Sequence, residues 1–340
     1  MDPDLLLEEL LAGRTAALAR AISVVENARP GFEQLLAKVH RSVGRARRIG
    51  LTGPPGAGKS TLVERLVGAY RAAGLRVAVI AVDPTSPFTG GALLGDRIRM
   101  ESIALDRGVY IRSMGSRGSL GGLATSTREV CDILDAAGFD RILVETVGVG
   151  QSELDVARIA DTTVLVMVPE SGDGIQTLKS GVMEVADVFV VNKADRPGAD
   201  KLRQEIEITL GIRKGNAFRH VRAHHGRRVA AAMSAPDGGW EHPVILATAT
   251  KGEGIDALIA ALDRQFDWLA ASGQLAERRR RRLLDRTHEV VDRATRRWLW
   301  EETDAERQVA MHLDEVADGR MSPYDVATEV VAGLRQGARA

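Results

Sequence analysis

Cysteine is almost missing from this chain: Cys131 stands alone among 340 residues. One thiol cannot build a disulfide framework, and it excludes a metal centre made of several cysteines. Cys131 is expected to pack as a small buried hydrophobe. A surplus of either charge is missing too. Lys plus Arg and Asp plus Glu each total 46, for a net charge of zero, whereas a nucleic-acid binder usually shows a basic face. No nucleic-acid partner is therefore expected. No apolar run approaches the roughly 20 residues that span a bilayer. The opening MDPDLLLEELLAGRTAALARAI puts acids where a secretory signal has a basic segment, and it lacks the continuous apolar core of one. The expectation is a soluble, cytoplasmic protein with no membrane partner. Internal repeats and long low-complexity tracts are also missing. What is present suffices for folding. The hydrophobic fraction is 44%, ample for a sizeable core, and the length suits one large domain with additions, or two domains.

The first part of the chain reads as helical. Leu5, Leu6, Leu10 and Leu11, then Ala17, Leu18 and Ile22, recur at helical spacing, punctuated by Gly13 and Pro30. From residue 47 short apolar runs alternate with helical stretches: RRIGLTG, VAVIAVD, GVYIRS, RILVET, TTVLVMV, DVFVVNK and HPVILAT. Strands alternating with helices imply βαβ units and a mostly parallel sheet. The near-continuous apolar runs suit strands covered on both faces. The expected fold is α/β, a doubly wound, mostly parallel sheet with ligands at the carboxyl ends of its strands. The polar segment from Gly211 to His242 contains Ala-His-His-Gly at 223–226. Adjacent histidines point apart and no acid or cysteine is placed beside them, so a solvated helix or loop is expected there rather than a metal site. After Leu275 the chain turns helical again. Arg278 to Arg282 read as a solvated helix face. Leu283, Leu284, Val290, Val291, Trp298 and Trp300 form an amphipathic stripe that either packs on the α/β core or buries a dimer interface.

Chemistry concentrates at the ends of the apolar runs. Gly53-Pro54-Pro55-Gly56-Ala57-Gly58-Lys59-Ser60-Thr61 matches G-x-x-x-x-G-K-[ST], after a strand and before a helix, the context that a phosphate-binding loop requires. Its glycines let backbone N–H groups approach phosphate oxygens, and the helix N-terminus adds its positive end. Lys59 is expected to reach the β- and γ-phosphates, Ser60 to ligate Mg²⁺ and Thr61 to contact the α-phosphate. Asn192-Lys193-Ala194-Asp195 follows the run DVFVV. A carboxylate there accepts from N1–H and the exocyclic amine of guanine; with adenine it would be left unpaired, a mismatch of a few kcal/mol. Asn192 would orient the loop or bind the base, and Lys193 would cover the ring. Amides near Thr248, Ala249 and Thr250 would close on the guanine carbonyl.

Glu145 ends the strand ILVET, and glycines follow at 148 and 150. An acid at that edge can hold Mg²⁺, often through water. Gly148 would contact the γ-phosphate through its amide and release it after hydrolysis, as a switch segment does. Lys59, Glu145 and Gly148 are thus the candidates for the hydrolytic step. Gln151 either steers water or simply opens the next helix. Asp83 ends VAVIAVD, and Asp96 lies in the glycine-rich loop after it. With Ser60 and Glu145 these acids make a candidate Mg²⁺ shell, although Asp96 also fits a helix N-cap.

GPPGAGKST, VDPTSPFTGGALLGDR, ETVGVGQSE and NKAD together resemble the MeaB/ArgK/methylmalonic-aciduria-type-A P-loop GTPases, over essentially the whole chain. The resemblance implies a slow, partner-stimulated GTPase that binds GTP, GDP and Mg²⁺. It implies a G-protein chaperone of an adenosylcobalamin-dependent acyl-CoA mutase, typically methylmalonyl-CoA mutase, gating cofactor loading and protecting the mutase. It also implies a homodimer joined through C-terminal helices, and a further switch over Pro169 to Gly181 in which Asp173 and Lys179 are the charged candidates. The expected organisation is a helical extension over 1–45, a GTPase domain over 46–272 and a helical dimerisation arm over 273–340. The lengthened 212–242 segment departs from the family pattern. An older family label, a transport-associated kinase for basic amino acids, finds no support in these residues. Two alternatives stay open. A nickel-type metallocentre-assembly GTPase would need a Cys/His site near the switch loops. A P-loop small-molecule kinase would need an acceptor pocket and, usually, adenine selectivity.

Overall fold

Among the described residues, seven strands, all parallel, form one sheet in the order β3-β2-β4-β1-β5-β6-β7. They are β1 Arg47–Thr52, β2 Val77–Asp83, β3 Val109–Gly115, β4 Arg141–Thr146, β5 Thr162–Met167, β6 Val188–Asn192 and β7 Val244–Ala247. Each falls on one of the seven apolar runs, because a strand covered on both faces has no polar side to mark it. The computed structural model describes residues 3–83, 103, 105–115, 122–146, 152–169, 182–213 and 239–337.

Helices cover both faces. Before the sheet come α1 Pro3–Leu11, α2 Thr15–Glu26 and α3 Phe32–Val39. Between strands lie α4 Lys59–Ala72, α5 Gly122–Ala136, α6 Ser152–Ile159, α7 Val182–Val185 and α8 Ala199–Arg213. After β7 come α9 Ile255–Ala271, α10 Gln274–Glu301, α11 Ala305–Met311, α12 Leu313–Ala317 and α13 Pro323–Gly337. Strand periodicity sorts the core. Ala78, Ile80, Val82, Ile142 and Val144 pack with α1–α3 and α5, whereas Val77, Val79, Leu143, Val164 and Val188 pack with α4 and α9. The N-terminal stripe behaves as its spacing predicts: Leu6, Leu10, Ala17, Leu18 and Ile22 are buried, while Leu5 and Leu11 at the margin are exposed. Cys131 is buried, as expected of a small hydrophobe.

Two compact units result, Met1–Arg279 and Arg280–Ala340. The second has its own small core of Ala305, Val326 and Val330. In α10 no residue is buried, and Leu283, Leu284, Val290, Val291, Trp298 and Trp300 are exposed within the single chain. Among the described residues, no helix is long and apolar enough to cross a membrane.

The parallel order decides where chemistry can gather. Every strand delivers its carboxyl end to the same edge, and β1 sits between β4 and β5, where the order of connection reverses. Across that edge the sheet therefore presents the ends of β2, β4, β1, β5, β6 and β7 in turn.

Candidate functional site

The loop between β1 and α4 is built around Lys59. Its side chain is 5% exposed, and its ammonium donates to the carbonyls of Gly53 at 2.8 Å and Pro54 at 3.0 Å. The chain wraps its own lysine, which fixes the positive charge at the centre of the turn. Two glycines make this wrap possible. Gly53 has φ +138°, and a Cβ there would lie 2.0 Å from the Val166 carbonyl oxygen. Gly58 has φ +86°, and its Cβ would meet the Asn192 amide nitrogen at 2.4 Å. Pro54 and Pro55 carry no N–H and so contribute stiffness rather than donors. The Ala57 amide donates to the Pro54 carbonyl at 3.3 Å. The first helical bond of α4 runs from the Leu62 amide to the Gly58 carbonyl. The amides from Gly58 to Thr61 therefore precede the helical ladder, at the positive end of its dipole.

On one side of this loop stands an acid. Glu145 pairs in register with Leu51 of β1 and Ala81 of β2. It shares the period-two face of Leu143, the face turned to α4. It is buried, and the Ser60 hydroxyl donates to its Oε1 at 2.6 Å. A hydroxyl and a carboxylate thus converge beside the lysine from two elements that are 85 positions apart. Both are hard oxygen donors of the kind Mg²⁺ takes, so this pair fits a magnesium site.

On the other side lies a polar bridge. Asn192 ends β6 and is buried. Its amide nitrogen donates to the Ala57 carbonyl at 2.8 Å, and its Oδ1 accepts from the Ala249 amide at 3.1 Å. One side chain thereby joins the phosphate loop to the turn after β7. Lys193 adopts φ +55°, an uncommon conformation for a residue with a side chain. Asp195 is exposed, with the Lys251 ammonium 3.6 Å away. Of the amides considered for the base, that of Thr248 donates to the Glu253 carbonyl and that of Ala249 to Asn192. The turn is spoken for at those two positions.

Residues 18–304 match the family model described as methylmalonyl Co-A mutase-associated GTPase MeaB. The chain belongs to the MeaB family. A Pyrococcus abyssi protein assigned by name to the GTPases is 46% identical over 288 residues, which cover 85% of this chain and 83% of that protein. GTPase ArgK of Escherichia coli is 34% identical, covering 97% and 94%. A solved structure titled LAO/AO transport system kinase is 28% identical with a TM-score of 0.65, covering 98% of this chain and 97% of that one.

In this MeaB-family chain the structure brings together Lys59, Ser60, Glu145, Asn192 and Ala249 around one loop. Asp83 closes β2, the strand beside β4, with its backbone at the same edge. Asp96, Gly148, Gln151, Asp173, Lys179 and the histidine pair at 224–225 lie outside the described residues. One expectation is corrected. Arg278 and Arg279 are not part of a solvated face. Arg278 donates to the buried Asp187 at 2.9 and 3.1 Å. Arg279 donates to the buried Asp161 at 2.8 and 3.1 Å, and to the carbonyls of Gly44 and Ala46. The reason is local geometry: Asp161 and Asp187 stand just before β5 and β6, and a buried carboxylate needs a charged partner. A sequence signal for this existed in the acids that precede TTVLVM and VFVVN. Sequence reasoning also missed Arg65, whose signal is weaker, an exposed cation in the middle of α4.

Proposed function

We propose that this chain is a GTP-binding and GTP-hydrolysing chaperone of an adenosylcobalamin-dependent acyl-CoA mutase of the methylmalonyl-CoA type, gating cofactor loading and protecting the mutase. The family match supports the partner. The observation that carries the chemistry is the convergence of Lys59, Ser60 and Glu145 at a glycine-shaped loop on a helix N-terminus.

In hydrolysis, water attacks the γ-phosphorus and the bond to the β–γ bridging oxygen breaks, leaving GDP and phosphate. Charge grows on the phosphoryl oxygens and on the leaving oxygen. Lys59 faces the β- and γ-phosphates, and the amides of residues 58–61 hold the phosphate chain in place. Ser60 and Glu145, joined by Asp83 and Asp96, would hold Mg²⁺, which supplies charge neutralisation at the phosphate oxygens when bound. Gly148 senses the γ-phosphate. Asp195 recognises guanine, with Asn192 setting the distance between base loop and phosphate loop. The helical extension over 1–45 flanks a GTPase domain over 46–272. The arm over 273–340 serves a homodimer, for which the exposed apolar stripe on α10 provides the surface.

Turnover is expected to be slow alone, because no arginine finger is evident among the described residues, and to rise at least about tenfold when the mutase is added, as for other partner-stimulated G proteins. The measurement is phosphate release from GTP with the purified protein alone and with a methylmalonyl-CoA mutase. Equal rates in both would remove the chaperone reading and leave the GTPase one standing.

A further inference from the structure

The turn that must meet the base is short. It is a single three-residue 3₁₀ turn, Ala249–Lys251, and such a turn has little stability of its own. Three ties hold it. The Thr248 amide pairs with the Glu253 carbonyl at 3.0 Å. The Ala249 amide donates to Asn192. The third tie comes from an unexpected quarter. Arg65 of α4 donates through Nε to the Ala249 carbonyl at 3.0 Å and through a terminal nitrogen to the Thr250 carbonyl at 2.7 Å.

We infer that Arg65 is the positioning residue of the base-recognition turn and thereby sets the preference for guanine. The inference rests on the guanine-nucleotide reading above. Its physical basis is the planarity of the peptide group. Where the Ala249 carbonyl points at Arg65, the Thr250 N–H of the same trans peptide points the opposite way. A guanidinium presents its donors in a rigid fork, so it fixes two successive carbonyls at once, which an ammonium cannot do. Arg65 therefore aims the Thr250 amide, the one of the three not committed to Glu253 or Asn192. The same turn carries Lys251, whose ammonium lies 3.6 Å from Asp195. A turn held by Arg65 thus carries both the aimed amide and the cation that lies 3.6 Å from the carboxylate that reads the base. Because α4 also begins with the phosphate loop, Arg65 makes the separation between base turn and phosphate loop a property of one rigid helix.

The test is a comparison of GDP, IDP and ADP binding by calorimetry for the full chain and for Arg65→Ala, Arg65→Lys and Asp195→Ala. Arg65→Ala is expected to weaken GDP by about tenfold, the loss of roughly one charge-assisted hydrogen bond, while leaving ADP unchanged, so that the GDP-to-ADP preference falls by the same factor. Arg65→Lys keeps the charge but not the fork, and is expected to restore less than half of that preference on a logarithmic scale. An equal loss for GDP and ADP, or full rescue by lysine, would overturn the proposal, since a merely structural or electrostatic role predicts those outcomes. So would an unchanged GDP affinity. Asp195→Ala separates the two levels: if it retains guanine preference, the guanine reading itself fails, whereas if it alone loses preference, only the role of Arg65 fails. A thermal melt of each variant identifies any loss that comes from unfolding.

Discussion

Replacing Lys59 with alanine is expected to lower the turnover number for GTP by about 10²- to 10³-fold, the usual effect of removing one preorganised charge from a transition state that spreads negative charge. The effect is large because the ammonium is already desolvated and oriented. It is nearly buried and held by the Gly53 and Pro54 carbonyls, so little reorganisation is needed as the γ-phosphoryl group becomes more negative. Arginine is expected to fail nearly as badly. The pocket encloses a compact point charge on a flexible stem, and a planar guanidinium is larger and needs a different set of acceptors. The fold should survive both changes, because Lys59 only opens α4 and is not part of the apolar clusters. Steady-state phosphate release, with far-UV circular dichroism as the control, checks this. Hydrolysis by Lys59→Ala within a few-fold of the parent would remove the phosphate loop from the mechanism.

Replacing Asp135 with alanine is expected to give the largest loss of stability outside the apolar core. This carboxylate is 1% exposed. It accepts the amides of Gly44 at 2.7 Å, Arg45 at 3.1 Å and Ala46 at 3.0 Å. The Arg48 guanidinium lies at 2.7 Å from Asp132 and 3.5 Å from Asp135. Burial works against the charge on Arg48, but Asp132, with smaller contributions from Cys131 and Asp161, outweighs it and holds the guanidinium above its ordinary pKa. Alanine at 135 leaves three amides without their acceptor at the entry to β1 and weakens the compensation of a buried cation. The expected cost is about 3–5 kcal/mol, the range for breaking a buried charged pair by removing one partner. That corresponds to a fall in melting temperature of about 10 °C for a unit of this size. Asparagine should cost less, since its remaining carbonyl can still accept two of the amides. A melting temperature within about 2 °C of the parent would show that water or a neighbouring group replaces Asp135.

These two residues sit at opposite ends of the sheet, and the contrast explains what could be read in advance. The phosphate loop was legible because its determinants are contiguous. A strand, a glycine-bounded turn and a helix occupy Arg47–Thr52, 53–58 and Lys59–Ala72 in unbroken succession, and each needs only its neighbours to declare itself. The seven strands were legible for the related reason that a doubly covered strand is apolar throughout. The same feature placed Glu145 and Asn192 at a common edge, because parallel strands must end together.

What the sequence by itself determined, then, is the list of elements and the side chains at their ends. Pairing was decided by tertiary structure. Nothing local says that Asn192 joins Ala57 to Ala249, that Arg65 reaches residues 184 and 185 positions away, or that Arg278 and Arg279 leave a run of five arginines to meet Asp187 and Asp161. Periodicity records which face of an element is apolar. The partner of a polar group depends on which distant element burial brings against it, and a polar group removed from water must find that partner or not be buried at all.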